Sequence, residues 1–262
     1  MHQRTVAMFE QGSGPALVLV PGIPGPWEYV RPAAEALAGS CHVLTFSLGP
    51  ECSIESDVER IDRALAERRL DQAVVCGISF GGLVALRFAA THPARTRALV
   101  LASVPGPGMK LRPSHRIYTQ WPYVFGPLFL VETPFRVRRE VARALPLRSE
   151  RWSFHWSQLK TFLTAGVSLP EIARRARVME ELDSAADCRN VVAPTLIVTG
   201  EPALDWVVPV DNTTEYLRLI RGARHVVLEG TGHLGTITQP AAFAAAVTRF
   251  LDDVRMQNDE VA

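Results

Sequence analysis

The sequence predicts an α/β protein: a mostly parallel, doubly wound sheet that carries a helical insertion. Three observations predict it. Short apolar and β-branched runs alternate with stretches of helical spacing at both ends of the chain, the pattern of parallel strands covered on both faces. Residues 73–90, AVVCGISFGGLVALRFAA, pass from a buried-strand pattern to a helical one almost without a loop. From Pro105 to Asn190 the alternation stops, and a proline-broken, aromatic and basic stretch replaces it.

Composition agrees with that class. At 262 residues, 47% hydrophobic and 21% charged, the chain has enough apolar side chains for a large core. A net charge of +1 gives no overall field for nucleic acid or an anionic membrane, so neither is expected as a partner. The opening Met1-His2-Gln3-Arg4 leads into a strand-like segment, not a signal-peptide pattern, and no apolar run has the length of a membrane span. A cytoplasmic protein, monomeric or homodimeric, is the expectation. Cys41, Cys52, Cys76 and Cys188 lie far apart, which favours reduced structural thiols and gives no metal site.

In order, Thr5 to Glu10 reads as an edge strand and Ala16 to Val20 as a buried one. Pro21-Gly22-Ile23-Pro24-Gly25-Pro26-Trp27 can continue neither strand nor helix, so it forms a rigid loop with exposed amides. Val30, Ala34 and Leu37 have helical spacing, and His42 to Phe46 gives the next strand. Ser53 caps a helix with Val58, Ile61 and Leu65 inward and Glu55, Asp57 and Glu59 near its positive end. Then comes the strand from Ala73, and a helix begins near Phe80. The turn between them forces Ser79 into a strained backbone, tolerated because Gly77 and Gly81 have no Cβ to collide with it. His92-Pro93 stops that helix before the strand Ala98 to Ala102.

Gly77-Ile78-Ser79-Phe80-Gly81 is a G-x-S-x-G nucleophile elbow in its strand-turn-helix setting, and here the chain resembles the α/β-hydrolase family. The resemblance implies that Ser79 is a nucleophile. It also implies an oxyanion hole made by the backbone N–H groups of Phe80 and Ile23, because the loop at Pro21 is similar to the family's His-Gly-x-Pro-Gly loop. Pro21 stands where the family has histidine, which removes a side-chain brace but no main-chain donor.

Residues 105–190 hold 14 Lys+Arg against 8 Asp+Glu, a net of +6, and 10 of the chain's 20 aromatic residues. Pro113, Pro122, Pro127, Pro134, Pro146 and Pro170 are expected to cut this stretch into short helical pieces. It resembles the family's helical cap, inserted between the sixth and seventh strands, with 1–104 and 191–262 as the core. Trp121, Phe125, Trp152, Trp156 and Leu234 are candidates for an apolar substrate pocket. The arginines of 136–139 and 174–177 read as solvated faces, and His115 and His155 receive no chemistry.

The core resumes at Ala193 to Gly200. Asp205 follows that strand where an acid can orient an imidazole, and it stands four residues before Pro209, similar to the family's Gly-x-x-Asp-x-x-x-Pro segment. Two extra residues follow Gly200, and Glu201 and Asp211 are the rivals, Asp211 reading better as a helix N-cap. The last strand, His225 to Glu229, leads into Gly230-Thr231-Gly232-His233, similar to the family's terminal Gly-His loop, and a C-terminal helix follows. The order Ser79, Asp205, His233 is the family's order. The resemblance therefore implies hydrolysis of an apolar or amphipathic ester, with no cofactor. Thioesterase, C–C hydrolase, perhydrolase and non-hydrolytic receptor chemistries share these motifs.

Overall fold

The computed structural model describes residues 8–261. The edge strand is observed as β1 (Met8–Gln11), and residues 5–7 of the expected strand lie outside the described residues. The first half of the core continues through β2 (Ala16–Val20), α1 (Arg31–Leu37), β3 (His42–Phe46), α2 (Ile54–Glu67), β4 (Ala73–Ile78), α3 (Phe80–Thr91) and β5 (Thr96–Ala102). Five helices follow: α4 (Pro113–Gln120), α5 (Pro122–Ala144), α6 (Arg148–Ala165), α7 (Leu169–Glu181) and α8 (Ser184–Cys188). The chain then returns through β6 (Thr195–Thr199), α9 (Val210–Thr214), α10 (Tyr216–Leu219), β7 (Arg224–Val227), α11 (Gly235–Thr238) and α12 (Pro240–Val261).

The strands form one sheet in the order β1-β3-β2-β4-β5-β6-β7, with β1 antiparallel to β3 and every other pair parallel. Alternate residues of each strand enter opposite layers. Val18, Val75, Leu99 and Ile197 pack with α2 and α3, while Leu17, Val74, Val100 and Leu196 pack with α1 and α12. A strand buried on both faces must be apolar throughout, which is why β4 reads as an unbroken run instead of an alternation.

Register carries the carboxyl ends of the central strands to one rim: Val20 pairs with Gly77, Ile78 with Ala102, Ala102 with Val198, and Thr199 with Val227. The winding reverses between β2, whose successor β3 lies to one side, and β4, whose successors lie to the other. A crevice opens at such a switch point, at the carboxyl ends of the strands.

Three expectations change. The helical insertion falls between the fifth and sixth strands of this chain, one strand earlier than the sixth and seventh. Its prolines do not cut it into short pieces: α5 runs for 23 residues through Pro127 and Pro134. Those two are seven apart, within ~20° of the same face, so both missing N–H groups fall on one side of the helix. Pro113 and Pro122 instead open α4 and α5, where a first-turn N–H has no helical partner to lose. Finally, Asp211 is not a cap: α9 begins at Val210 with Pro209 before it, and Asp211 sits inside the first turn.

Candidate active site

The tight turn after β4 has the geometry its glycines imply. Ser79 holds φ 53° and ψ −124°, its N–H donates to Ala102 O (2.8 Å), and its carbonyl accepts from Gly82 N–H (2.9 Å). A Cβ on Gly77 would lie 2.3 Å from Gly81 O, and one on Gly81 would lie 2.3 Å from Pro21 O, so the elbow closes only with glycine at both positions. Phe80 is the first residue of α3, and its N–H has no carbonyl one turn back to bond.

The loops after β6 and β7 converge on this serine. His233 Nε2 lies 3.2 Å from Ser79 Oγ, across 154 residues of sequence. Asp205 Oδ2 lies 3.4 Å from His233 Nδ1, an ion-pair contact whose alignment leaves Nδ1 without a hydrogen bond among the described residues. The other oxygen of Asp205 accepts from Val207 N–H (3.0 Å) and Val208 N–H (2.9 Å), which fixes the carboxylate on its own turn. Burial by itself would lower the pKa of His233. The carboxylates of Asp205 and Glu140 outweigh it, so the imidazole is held above its usual range. Of the rival acids, Glu201 is spent on Gly230 N–H (2.6 Å), and Asp211 is exposed on α9.

The Pro21 loop reaches the same place. Ile23, Ser79 and Phe80 line one cavity of about 150 Å³, roofed by residues of the helical insertion. The missing histidine brace is replaced from outside the loop. Arg175 of α7, fully buried, donates from Nη1 to Ile23 O (3.1 Å) and Pro24 O (3.3 Å), and from Nη2 to Gly49 O (3.0 Å) and Glu171 (3.0 Å). A side chain on Gly25 would meet that guanidinium at 2.6 Å. The expectation of a solvated face fails at Arg175 because four acceptors, three of them main-chain carbonyls, compensate the buried charge.

The pocket walls also differ from expectation. Trp121, Phe125, Trp152 and Trp156 are 61, 37, 74 and 62% exposed, and none lines the cavity. Leu234 is half-buried and contributes its main-chain N–H to Glu140 instead of a wall. Helix α6, which carries Trp152 and Trp156, buries no residue at all. The apolar lining comes instead from Met109, Leu111, Leu169, Ile172, Met179 and Val208. His115, Tyr118 and Arg136 add polar atoms, so two of the residues set aside by the sequence reading face the cavity. Arg136 pairs with Glu132 (2.8 Å) and with His115, and burial with the nearby guanidinium pushes the His115 pKa down to about 4, leaving a neutral imidazole.

One further residue escaped the sequence reading. Glu140 of α5 is buried, and its Oε1 accepts N–H from both Gly232 (2.8 Å) and Leu234 (2.5 Å), the neighbours of His233. The histidine loop is therefore pinned from both sides, where Gly230 and Gly232 alone would leave it mobile. A lone glutamate within a long helix gives no local signal for such a contact.

Comparison with known proteins agrees with this fold. The sequence profile of the alpha/beta hydrolase family matches residues 17–246. The polyketide synthase ThaQ of Burkholderia thailandensis is 27% identical over 256 residues, covering 92% of this chain and 12% of that protein, so the chain spans a small part of that relative's length. A pimeloyl-(acyl-carrier protein) methyl ester esterase of Neisseria meningitidis is 29% identical over 208 residues, covering 76% of this chain and 77% of that protein. In three dimensions the enol-lactonase from Burkholderia xenovorans LB400 superposes with a TM-score of 0.75 at 18% identity, over 94% of this chain and 96% of that one.

Proposed function

The chain belongs to the alpha/beta hydrolase family, and from that premise we propose that it is a serine hydrolase that cleaves a carboxylic ester, or a related acyl bond, through an acyl-enzyme. The observation that carries this reading is the double reach of His233, with Nε2 at 3.2 Å from the Ser79 hydroxyl and Nδ1 at 3.4 Å from Asp205. In this reading His233 takes the Ser79 proton as the oxygen attacks the substrate carbonyl. The N–H groups of Ile23 and Phe80 receive the oxyanion, and the imidazolium, steadied by Asp205, protonates the leaving alcohol. Water, deprotonated by the same nitrogen, then releases the acid and restores Ser79.

The cavity supports an apolar or amphipathic acyl substrate, since aliphatic side chains dominate its lining and a few polar groups interrupt them. Helices α4 to α7, within a cap spanning 105–190, would exclude water from the acyl-enzyme. An ester agrees with the methyl ester esterase among the relatives. Arg175, by bracing the Pro21 loop in place of the family's histidine, favours a catalytic over a receptor-like role for this site. The test is labelling with a fluorophosphonate together with turnover of short p-nitrophenyl esters. Both are expected in the native protein and absent in Ser79→Ala; a native protein that shows neither refutes the hydrolase. A panel of esters, thioesters and C–C substrates graded in acyl length then fixes the bond and chain preference.

A further inference from the structure

We propose that Glu140 is a positioning residue for the active-site histidine: its carboxylate clamps the main chain on both sides of His233 and adds negative charge against the imidazolium. This rests on the serine-hydrolase reading above and extends it, because the clamp comes from α5 of the helical insertion and not from the sheet that carries the other groups.

The geometry is specific. A single oxygen, Oε1, accepts N–H from Gly232 and from Leu234, so the peptide units flanking His233 are gathered onto one point. The second oxygen, Oε2, is buried and has no hydrogen-bond partner among the described residues. Burying an ionisable carboxyl with one oxygen unsatisfied is costly, and a glutamine would clamp the same two N–H groups without a charge. What glutamate alone adds is charge beside His233.

The surroundings are consistent with that role. Burial pushes the Glu140 carboxyl up to about 7; the Gly232 and Leu234 N–H groups and His233 pull toward ionisation, and Asp205 opposes it. Of the other charged groups, Arg139 on the same helix lies over the Trp206 ring, Arg143 one turn further on passes beside Gly230, and several more are engaged elsewhere. Arg136 on the same helix and His115 on α4 are bound to each other, Arg175 and Arg177 on α7 donate to the Pro21 loop and to Thr119 O, and Glu201 holds Gly230. Glu140 does not line the substrate cavity, so its influence runs through the histidine.

Glu140→Gln separates the two parts of the proposal, since its amide oxygen preserves the clamp and its charge is gone. The acid limb of kcat/KM, and the His233 Cε1–H titration followed by NMR, are expected to move to lower pH by about 0.5–1 unit. On the alkaline plateau kcat should stay within a few-fold of the native value with KM unchanged. Glu140→Ala, which loses the clamp as well, is expected to lower plateau kcat by about 10-fold or more. A Glu140→Gln profile that superposes on the native one overturns the charge contribution, and a Glu140→Ala variant with native kcat overturns the clamp. Should neither variant fold, the native protein still decides: its His233 resonance should titrate over a wider pH span than a single group, or in two steps, as Glu140 ionises beside it, and a simple one-proton curve refutes the coupling. That titration needs no turnover, so an inactive native protein would sink the hydrolase reading while leaving the Glu140 test intact.

Discussion

Ser79 keeps a left-handed backbone, φ 53°, with a side chain that disfavours it. Such strain costs on the order of 1–3 kcal/mol and persists only where the surroundings enforce it. Ser79→Gly is therefore expected to raise the unfolding free energy by about 1 kcal/mol while abolishing ester turnover, as read by denaturant melts and p-nitrophenyl assays. A loss of stability would mean that the strain is absent. Asp205 is open to a parallel test. Asp205→Asn retains an oxygen for the Val207 and Val208 N–H groups but removes the charge facing Nδ1, so kcat should fall on the order of 10³–10⁴-fold in a protein that melts normally. Full activity in that variant would pass the orienting role to Glu140, the other carboxylate acting on His233. At this scale Ser79 and His233 were legible because each sits in a short motif whose glycines report the turn around it. Arg175 and Glu140 were not. Their main-chain partners lie 92 to 152 residues away, and the one local contact, Glu171 four residues before Arg175, looks like an ordinary exposed helix pair.

Among the elements, the strands and the helices covering them could be read from hydrophobic period alone, since each is buried against a neighbour on a fixed face. The insertion resisted the same procedure. Helix α5 passes through two prolines and α6 buries nothing, so neither proline punctuation nor an apolar stripe indicates which side faces the serine. For that reason the tryptophans of this stretch resemble pocket walls in sequence while standing exposed in the structure. What α7 contributes is instead a buried guanidinium that holds the Pro21 loop through two of its carbonyls. Arg175→Met keeps the bulk and deletes every one of those hydrogen bonds. Freed carbonyls would let the Ile23 peptide turn away from the oxyanion, so kcat is expected to drop about 10–100-fold with KM changed less than 3-fold. The unfolding free energy should fall by about 2–4 kcal/mol, given how much main chain loses its partner. Rescue of kcat by Arg175→Lys to within a few-fold would show that one donor suffices; an Arg175→Met variant with native kcat would show that the loop stands without its brace.

Across the molecule, register brings the carboxyl ends of six parallel strands to one rim, and the reactive groups follow from loops leaving that rim. Charges buried beneath and above the sheet give the whole protein a pH-dependent stability that the near-neutral composition hides. Asp57 on α2 is 1% exposed; its Oδ1 accepts Gly49 N–H (2.8 Å) and its Oδ2 has no hydrogen-bond partner among the described residues. Burial pushes its pKa from 3.8 to about 6, against the pull of Gly49, Arg60 and Arg175. Glu140 is shifted the same way, from 4.5 to about 7. Between the lower and upper value of each group the native state binds more protons than the unfolded chain, so unfolding free energy falls as pH rises through that window. The stability these groups contribute is complete below their unfolded values and gone above about 7. Asp57→Asn cannot ionise and keeps an oxygen for Gly49. Its melting temperature relative to native should therefore be higher near pH 8 than near pH 5, by an amount equivalent to on the order of 1–3 kcal/mol. Scanning calorimetry of both proteins across that range decides the matter: a difference that stays flat with pH would mean that Asp57 keeps its charge in the folded state at no cost, and that the buried carboxyls do not set the protein's alkaline limit.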